Sequence, residues 1–386
     1  MNRKGKYRRQ ALTVCTLGGN GAGKTSLTAA IRKIVSRIGS TPTDRQAIEA
    51  QEPTRQTISA SVDISYRSID YETGGRHYTQ IDGLSHADNI KMLISGCPRI
   101  RGLIWVVSAS DGVTEESKTQ IQLASQTHIP AVITFLNQSE KIDDAELVDI
   151  CAMEIREILI DCGYSESKSP IVIGDALKTL KYKGQDLDST HCKPIVDVIF
   201  AMGRCMPEPM DSADLPLLMP IREANDHPDY ISTLRGDVVQ GHLAVGQALD
   251  IVGKGERIKT RLVEMGDGEV IVDAEPGWIL PGQVVSEPRS IRSYTAFKAA
   301  IYMMTQQESR THVPLIDNDT PEVHLWTIDV SGNLRLPPDV PMLNPGEHTY
   351  VSISLSVPMA LQIGSRFELK KMGALIAIGS VTEIIE

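Results

Sequence analysis

Gly18-Gly19-Asn20-Gly21-Ala22-Gly23-Lys24-Thr25 fits the phosphate-loop pattern G-x-x-x-x-G-K-[ST] at every fixed position. Its flanks fit too. Ala11–Leu17, rich in β-branched residues and uncharged, reads as a buried strand. Ser26–Ile38 reads as a helix with Leu27, Ile31, Ile34, Val35 and Ile38 on one face. Strand, glycine loop and helix in that order are the context the motif requires. Glycines let the backbone wrap a phosphate chain, and the helix start adds positive potential. Gly18, Gly19, Asn20, Gly21, Ala22, Gly23, Lys24, Thr25 and Ser26 are therefore expected to hold a polyphosphate. Lys24 would reach the outer phosphates and the Thr25 hydroxyl would ligate Mg2+. A glycine-rich turn with a chance lysine is the competing reading, and the flanking elements argue against it.

Length and composition set limits. A chain of 386 residues predicts two or three domains, and 41% hydrophobic residues suffice for ordinary cores. The net charge of −10 argues against indiscriminate nucleic-acid binding, although a local basic patch remains compatible with it. Cys15, Cys97, Cys151, Cys162, Cys192 and Cys205 are scattered and read as free thiols of a reducing compartment. No apolar run is long enough to span a membrane. The basic start, Met1–Arg9, reads as a solvated arm on a soluble, cytoplasmic protein.

Downstream, Ser40–Thr57 is polar and without period, an irregular segment. Strands are expected at Ser61–Ser68, His77–Ile81, Gly102–Ala109, Pro130–Leu136 and Pro170–Ile173. Helices are expected at Ala87–Ser95, Glu115–Thr127, Asp143–Cys162 and Pro194–Met202. This alternation predicts an α/β fold: a mostly parallel sheet with helices on both faces. Ligands then sit at the carboxyl ends of strands, where Gly18, Asp82, Asn137 and Asp175 all fall. Two readings of Asp82 stand side by side: a Mg2+ holder acting through water, or a cap on the following helix.

Met206–Pro216 is proline-rich and marks a domain boundary. Beyond it, short apolar runs recur between glycines and prolines, at Gly236–Val239, Ala248–Val252, Lys259–Val263, Val270–Val272 and Gln283–Val285. A second set follows at Phe297–Met304, Glu322–Ile328, His348–Val357 and Ile376–Ile384. They predict two small all-β units, barrels or sandwiches.

Several stretches together resemble bacterial elongation factor Tu. They are Val14–Ile31, Arg76–Tyr78, His86–Gly96, Val106–Gly112, Phe135–Asn137, Met153–Leu159, Ala176–Lys178, Val330–Gly332 and Asn344–Gly346. The resemblance spans nearly the whole chain. It implies a P-loop GTPase domain over 1–205 and two β-barrels over 211–290 and 291–386. It further implies GTP and GDP as ligands, Mg2+ as cofactor, and GTP hydrolysis coupled to delivery of aminoacyl-tRNA to the ribosome. A nucleotide exchange factor is an implied partner, and a monomer that does not enter membranes is the implied state.

The chain also departs from the family. The family's mobile segment, Arg-Gly-Ile-Thr-Ile, becomes Arg55-Gln56-Thr57-Ile58-Ser59. A one-residue gap makes Thr57 the magnesium-ligating threonine; without it, Ile58 falls there. Asp-Cys-Pro-Gly-His becomes Asp82-Gly83-Leu84-Ser85-His86. His86 inherits the water-positioning role, beside the plainer reading of a polar helix start. Ser85 replaces a glycine, which impairs the switch if that peptide needs a glycine conformation. Asn-Lys-x-Asp becomes Asn137-Gln138-Ser139-Glu140, so guanine would be read by Asn137 and the longer Glu140 while Gln138 replaces the base-covering lysine. Ser-Ala-Leu becomes Asp175-Ala176-Leu177, leaving the Ala176 amide for the guanine carbonyl.

Features that hold tRNA in the family are eroded at Asp226–Tyr230, after Glu264-Met265, at Asn318–Val323 and at Lys370–Ala374. Lys370 and Lys371 read equally as phosphate contacts or as a solvated pair. A second reading follows: a divergent nucleotide-binding paralogue, regulatory or drug-insensitive, with weakened guanine and tRNA recognition. A third, an ATP-dependent transferase, is disfavoured by the three-domain resemblance.

Overall fold

The computed structural model describes residues 11–38, 53–59, 62–96, 99–142, 144–208, 210–227, 231–266, 268–274, 277–309 and 313–385. The basic arm at 1–9, residues 40–52 of the polar segment, Cys97 and residues 228–230 lie outside the described residues. The chain divides into two compact units, Met1–Pro209 and Met210–Glu386.

The first unit is built on seven strands: β1 (Leu12–Leu17), β2 (Thr54–Ser59), β3 (Val62–Thr73), β4 (Arg76–Gly83), β5 (Gly102–Ser108), β6 (Val132–Asn137) and β7 (Ile171–Ile173). Their order in the sheet is β2-β3-β4-β1-β5-β6-β7. From β4 through β7 every neighbour is parallel, whereas β2, β3 and β4 form an antiparallel extension. Every residue of β5 and β6 is buried, as strands covered on both faces must be.

Among the described residues, six α-helices cover the sheet: α1 (Lys24–Ile38), α2 (His86–Ser95), α3 (Glu115–Gln126), α4 (Ala145–Asp161), α5 (Ala176–Lys181) and α6 (Lys193–Cys205). Leu27, Ile31, Ile34 and Val35 of α1 join Val14, Ile104, Val106, Ile133 and Phe135 of the sheet in one core with Ile195 and Val198 of α6. The expected fifth member, Ile38, the last residue of α1, is about half exposed. Beneath the glycine loop lies a buried polar knot. Gln80 Nε2 donates to Thr16 Oγ1 (2.8 Å) and Thr28 Oγ1 (2.9 Å), and Tyr71 O–H donates to Gln80 Oε1 (3.0 Å). It ties β1, β3, β4 and α1 with every Gln80 group satisfied except one lone pair.

The antiparallel extension corrects the sequence reading. Residues 54–57, expected to be irregular, begin an edge strand whose Arg55 and Thr57 side chains bond Asp63 on β3. β3 and β4 run further than expected and meet at Gly74-Gly75, both at positive φ, the requirement of a tight two-residue hairpin.

The second unit holds two closed six-stranded barrels. The first comprises β8 (Leu218–His227), β9 (Ile231–Gly236), β10 (Ala248–Val252), β11 (Ile258–Gly266), β12 (Glu269–Asp273) and β13 (Val284–Ser286), in the order β10-β11-β12-β9-β8-β13. The second comprises β14 (Arg292–Met303), β16 (Glu322–Leu325), β17 (Ile328–Arg335), β19 (His348–Leu361), β20 (Arg366–Lys371) and β21 (Ala374–Ile385), with the small pair β15 (Leu315–Ile316) and β18 (Met342–Leu343) beside it. Glu322–Ile328, expected as one strand, is a hairpin that turns at Trp326 in the left-handed region. The strand expected at 236–239 ends at Gly236 instead. The barrels are joined by Thr327 Oγ1–H to the Ile221 carbonyl and by Lys254 N–H to the Pro358 carbonyl, each at 2.7 Å, while Trp326 Nε1–H braces the second barrel from within by donating to the Ala360 carbonyl (2.8 Å).

Candidate functional site: the strand ends around the glycine loop

Gly18 takes φ +143° and Gly23 φ +94°. A Cβ on Gly18 would overlap the Val106 carbonyl oxygen, and one on Gly23 would overlap Asn137 Nδ2. Both positions need glycine for conformation and for space. The Lys24 ammonium arcs back over the loop and donates to the Gly18 and Gly19 carbonyls, each at 3.0 Å. Lys24, Thr25 and Ser26 form the first turn of α1, whose N–H groups have no acceptor within the helix. The expected ring of amides loses its first member, because Gly18 N–H donates to Gln120 Oε1 at 3.0 Å. Ala22 N–H closes a turn on the Gly19 carbonyl at 3.3 Å.

Asp82, near the end of β4, lies beside the start of α1. Thr25 Oγ1–H reaches Asp82 Oδ2 at 3.5 Å, while Asp82 Oδ1 is buried without a hydrogen-bond partner. Burial pushes the Asp82 carboxyl up to about 6, against the opposing pull of Lys24 and Arg67. The capping reading of Asp82 fails, because the cap of α2 is Ser85, whose Oγ accepts from Asp88 N–H. Ser85 sits at φ −135°, an ordinary extended conformation, so its replacement of glycine brings no strain here. Among the described residues no three acids, histidines or cysteines cluster as a metal cage. A hydroxyl, an orphaned carboxylate oxygen and an adjacent phosphate cradle do fit Mg2+, which takes few protein ligands and completes its shell with water and phosphate.

His86 opens α2. Its Nδ1 lies 2.9 Å from Gln120 Nε2 and 3.2 Å from Glu116 Oε1, both on α3. Gln120 is fully buried and bridges His86 to the first loop amide. Sequence reasoning missed it. The available signal is a glutamine on the face of α3 that also carries Ser117, Ile121 and Ala124, where an apolar residue would be expected.

Asn137, closing β6, clamps two segments. Its Nδ2–H donates to the Ala22 carbonyl (2.8 Å), and its Oδ1 accepts from Ala176 N–H (3.0 Å). The Ala176 amide, expected to be available to a guanine carbonyl, is thus engaged by Asn137. Gln138 takes φ +62°; its Nε2–H donates to the Gly21 carbonyl (3.0 Å) and its Oε1 accepts from Lys141 (2.6 Å). It fastens the loop and covers nothing in the way a lysine stem would. Glu140 is ion-paired with Lys178, a residue sequence reasoning did not single out. Asp175 caps α5 by accepting from Leu177 N–H (2.8 Å) and Lys178 N–H (3.1 Å).

Thr57 is not brought to this cluster. It lies on β2, three strands from β1, or about 14 Å at the usual strand spacing. Its hydroxyl donates to Asp63 Oδ1 at 2.8 Å, and with Arg55 it holds that carboxyl below the usual range.

In the second unit, Lys370 bonds Asp329 (2.9 Å) and Lys371 bonds Asp319 (2.8 Å). They are neither a solvated pair nor uncommitted cations. Asp226 accepts from Gly277 N–H (2.6 Å) and from Ser232 Oγ–H (2.8 Å), closing one end of the first barrel.

The architecture and the loop chemistry agree with comparison to known families. The elongation factor Tu GTP binding domain matches residues 9–226, more than half the chain, and the elongation factor Tu C-terminal domain matches residues 290–385. No helix among the described residues is long and apolar enough to cross a membrane. A P-loop α/β unit followed by two β-barrels, matched over both its nucleotide-binding and its C-terminal parts, identifies this chain as a member of the elongation factor Tu family of translation GTPases.

Proposed function

We propose that the chain binds GTP and GDP with Mg2+, hydrolyses GTP, and delivers aminoacyl-tRNA to the ribosome. In this reading 1–205 is the GTPase domain, and 211–290 and 291–386 are the barrels that respond to it. The observation that carries it is the gathering of Lys24, Thr25, Asp82 and His86 around one glycine loop at the carboxyl ends of β1 and β4.

Lys24 and the amides through Ser26 bind the phosphates. Thr25 would hold Mg2+ directly and Asp82 would hold it through water; bound there, the ion would neutralise charge on the phosphates. Thr57 becomes a ligand only once β2 leaves the sheet edge. His86 orients the attacking water, and Gln120 holds His86. Asn137 sets the base-side turn, Gln138 fastens the loop beneath it, and Glu140 accepts from the guanine N–H groups after parting from Lys178. Asp175, Ala176 and Leu177 form the turn that carries the base edge. An exchange factor, a monomeric state and a cytoplasmic location belong to the same reading.

A second reading is supported by particular contacts: a paralogue that binds nucleotide without delivering tRNA. Glu140, Lys370 and Lys371 each meet an opposite charge from this chain, which weakens their hold on base and phosphate. Protection of an aminoacyl-tRNA ester from hydrolysis separates the two. Protection at micromolar protein with GTP and Mg2+ supports delivery, and its absence leaves the paralogue. Titration with GTP, GDP and ATP tests the base: ATP bound as tightly as GTP would end the guanine assignment.

A further inference from the structure

Two neighbours of His86 Nδ1 demand opposite states of it. Glu116 Oε1, at 3.2 Å, can only accept, so it requires a proton on Nδ1. Gln120, at 2.9 Å, can donate or accept according to which way its amide faces. That direction is fixed from the other side. Gly18 N–H is a donor and nothing else, and it lies 3.0 Å from Gln120 Oε1. The amide oxygen must face the loop, so Nε2–H must face the histidine and Nδ1 must be the acceptor.

We propose that Gln120 is a positioning residue that selects the tautomer of His86, holding the neutral ring with its proton on Nε2 and tying that choice to the first amide of the glycine loop. Gln120 is fully buried, so turning its amide would set donor against donor at Gly18 with no water to relieve it. The neutral ring then offers Nε2–H as a donor. Toward an attacking water it orients the oxygen and does not take the proton. The tautomer stands on the contacts alone; its catalytic consequence rests on the water-positioning reading of His86 proposed above.

The test is long-range proton–nitrogen NMR on the full chain labelled at histidine nitrogens, with H86N to assign the ring, above the pH at which it titrates. The parent is expected to show a pyridine-type Nδ1 and a pyrrole-type Nε2, in about tenfold excess over the other tautomer for one amide hydrogen bond. In Gln120→Glu the carboxylate keeps an acceptor for Gly18 N–H but accepts from the ring, so the pattern inverts. In Gln120→Met, which serves if the glutamate variant does not fold, the excess falls to that of an unconstrained ring or below. A parent with its proton on Nδ1 overturns the proposal in favour of Glu116. So does an Nε2–H excess that both substitutions leave undiminished. Hydrolysis at saturating GTP is read in parallel: if the tautomers behave as stated but His86→Ala turns over GTP as fast as the parent, the selection by Gln120 stands and the catalytic reading of His86 falls.

Discussion

The phosphate end and the base end of this nucleotide site are built by different means. At the phosphate end, contacts are short, largely buried and made to backbone: Lys24 to two carbonyls, Gly18 to Gln120, Asn137 and Gln138 to the carbonyls of Ala22 and Gly21. At the base end, Glu140 meets Lys178 in an ion pair, both about half exposed. Backbone groups cannot be exchanged by substitution, and buried polar groups are costly to orphan. Exposed ion pairs are worth little and are readily remade. The site therefore keeps its grip on phosphate while its grip on the base is open to change.

The sharpest way to break this contrast is Lys24→Ala. It removes an ammonium that makes two charge-assisted bonds, so triphosphate affinity should fall by about 4 kcal/mol, roughly a thousandfold, in an equilibrium titration. Unchanged binding would remove the phosphate end from the argument altogether.

Asp82 comes next. Burial raises its carboxyl from 3.8 to about 6, so the folded chain holds that proton more tightly than the unfolded chain does. The resulting stability is complete below pH 3.8 and is lost as pH rises through about 6, a swing of roughly 3 kcal/mol. Mg2+-dependent nucleotide affinity needs the carboxylate and should rise over the same window. Asp82→Asn should flatten both curves, in denaturant melts and in magnesium titrations from pH 4 to 8.

Asn137→Ala orphans the Ala176 amide and the Ala22 carbonyl and should cost about 2 kcal/mol of stability by urea denaturation. It should weaken GTP and GDP alike, since the clamp touches the loop and not the γ-phosphate. The smallest effect belongs to Lys178→Ala. Freeing Glu140 should tighten GTP binding by only a few-fold, since an exposed pair is worth roughly 0.2–1 kcal/mol, and the gain should shrink in high salt. A gain of a hundredfold would show that the base end is far more tightly held than the contrast allows.

How much of this was legible in the sequence follows the same division. Local patterns located β1, α1, β5, α4 and α6 closely, because apolar period and glycine chemistry act within a few residues. β2 was missed because an edge strand needs only a partner, here Asp63 on β3 bonding Arg55 and Thr57, and has no apolar run of its own. The turn at Trp326 was missed because a bulky residue at positive φ carries no turn signature. In the site, the loop was legible as a motif. Gln120 and Lys178 were not, because their partners lie 102 and 38 residues away and only the closed fold brings them together.

The last side chain of β6 and the one that follows it carry one more consequence. Asn137 and Gln138 grip neighbouring carbonyls at the crown of the glycine loop. The cradle is therefore set when the domain folds, and the entropy of shaping it is not charged to the ligand. An arriving polyphosphate meets a finished mould in which chiefly the Lys24 side chain must swing, so capture is governed by encounter and charge, and not by waiting for the loop to form.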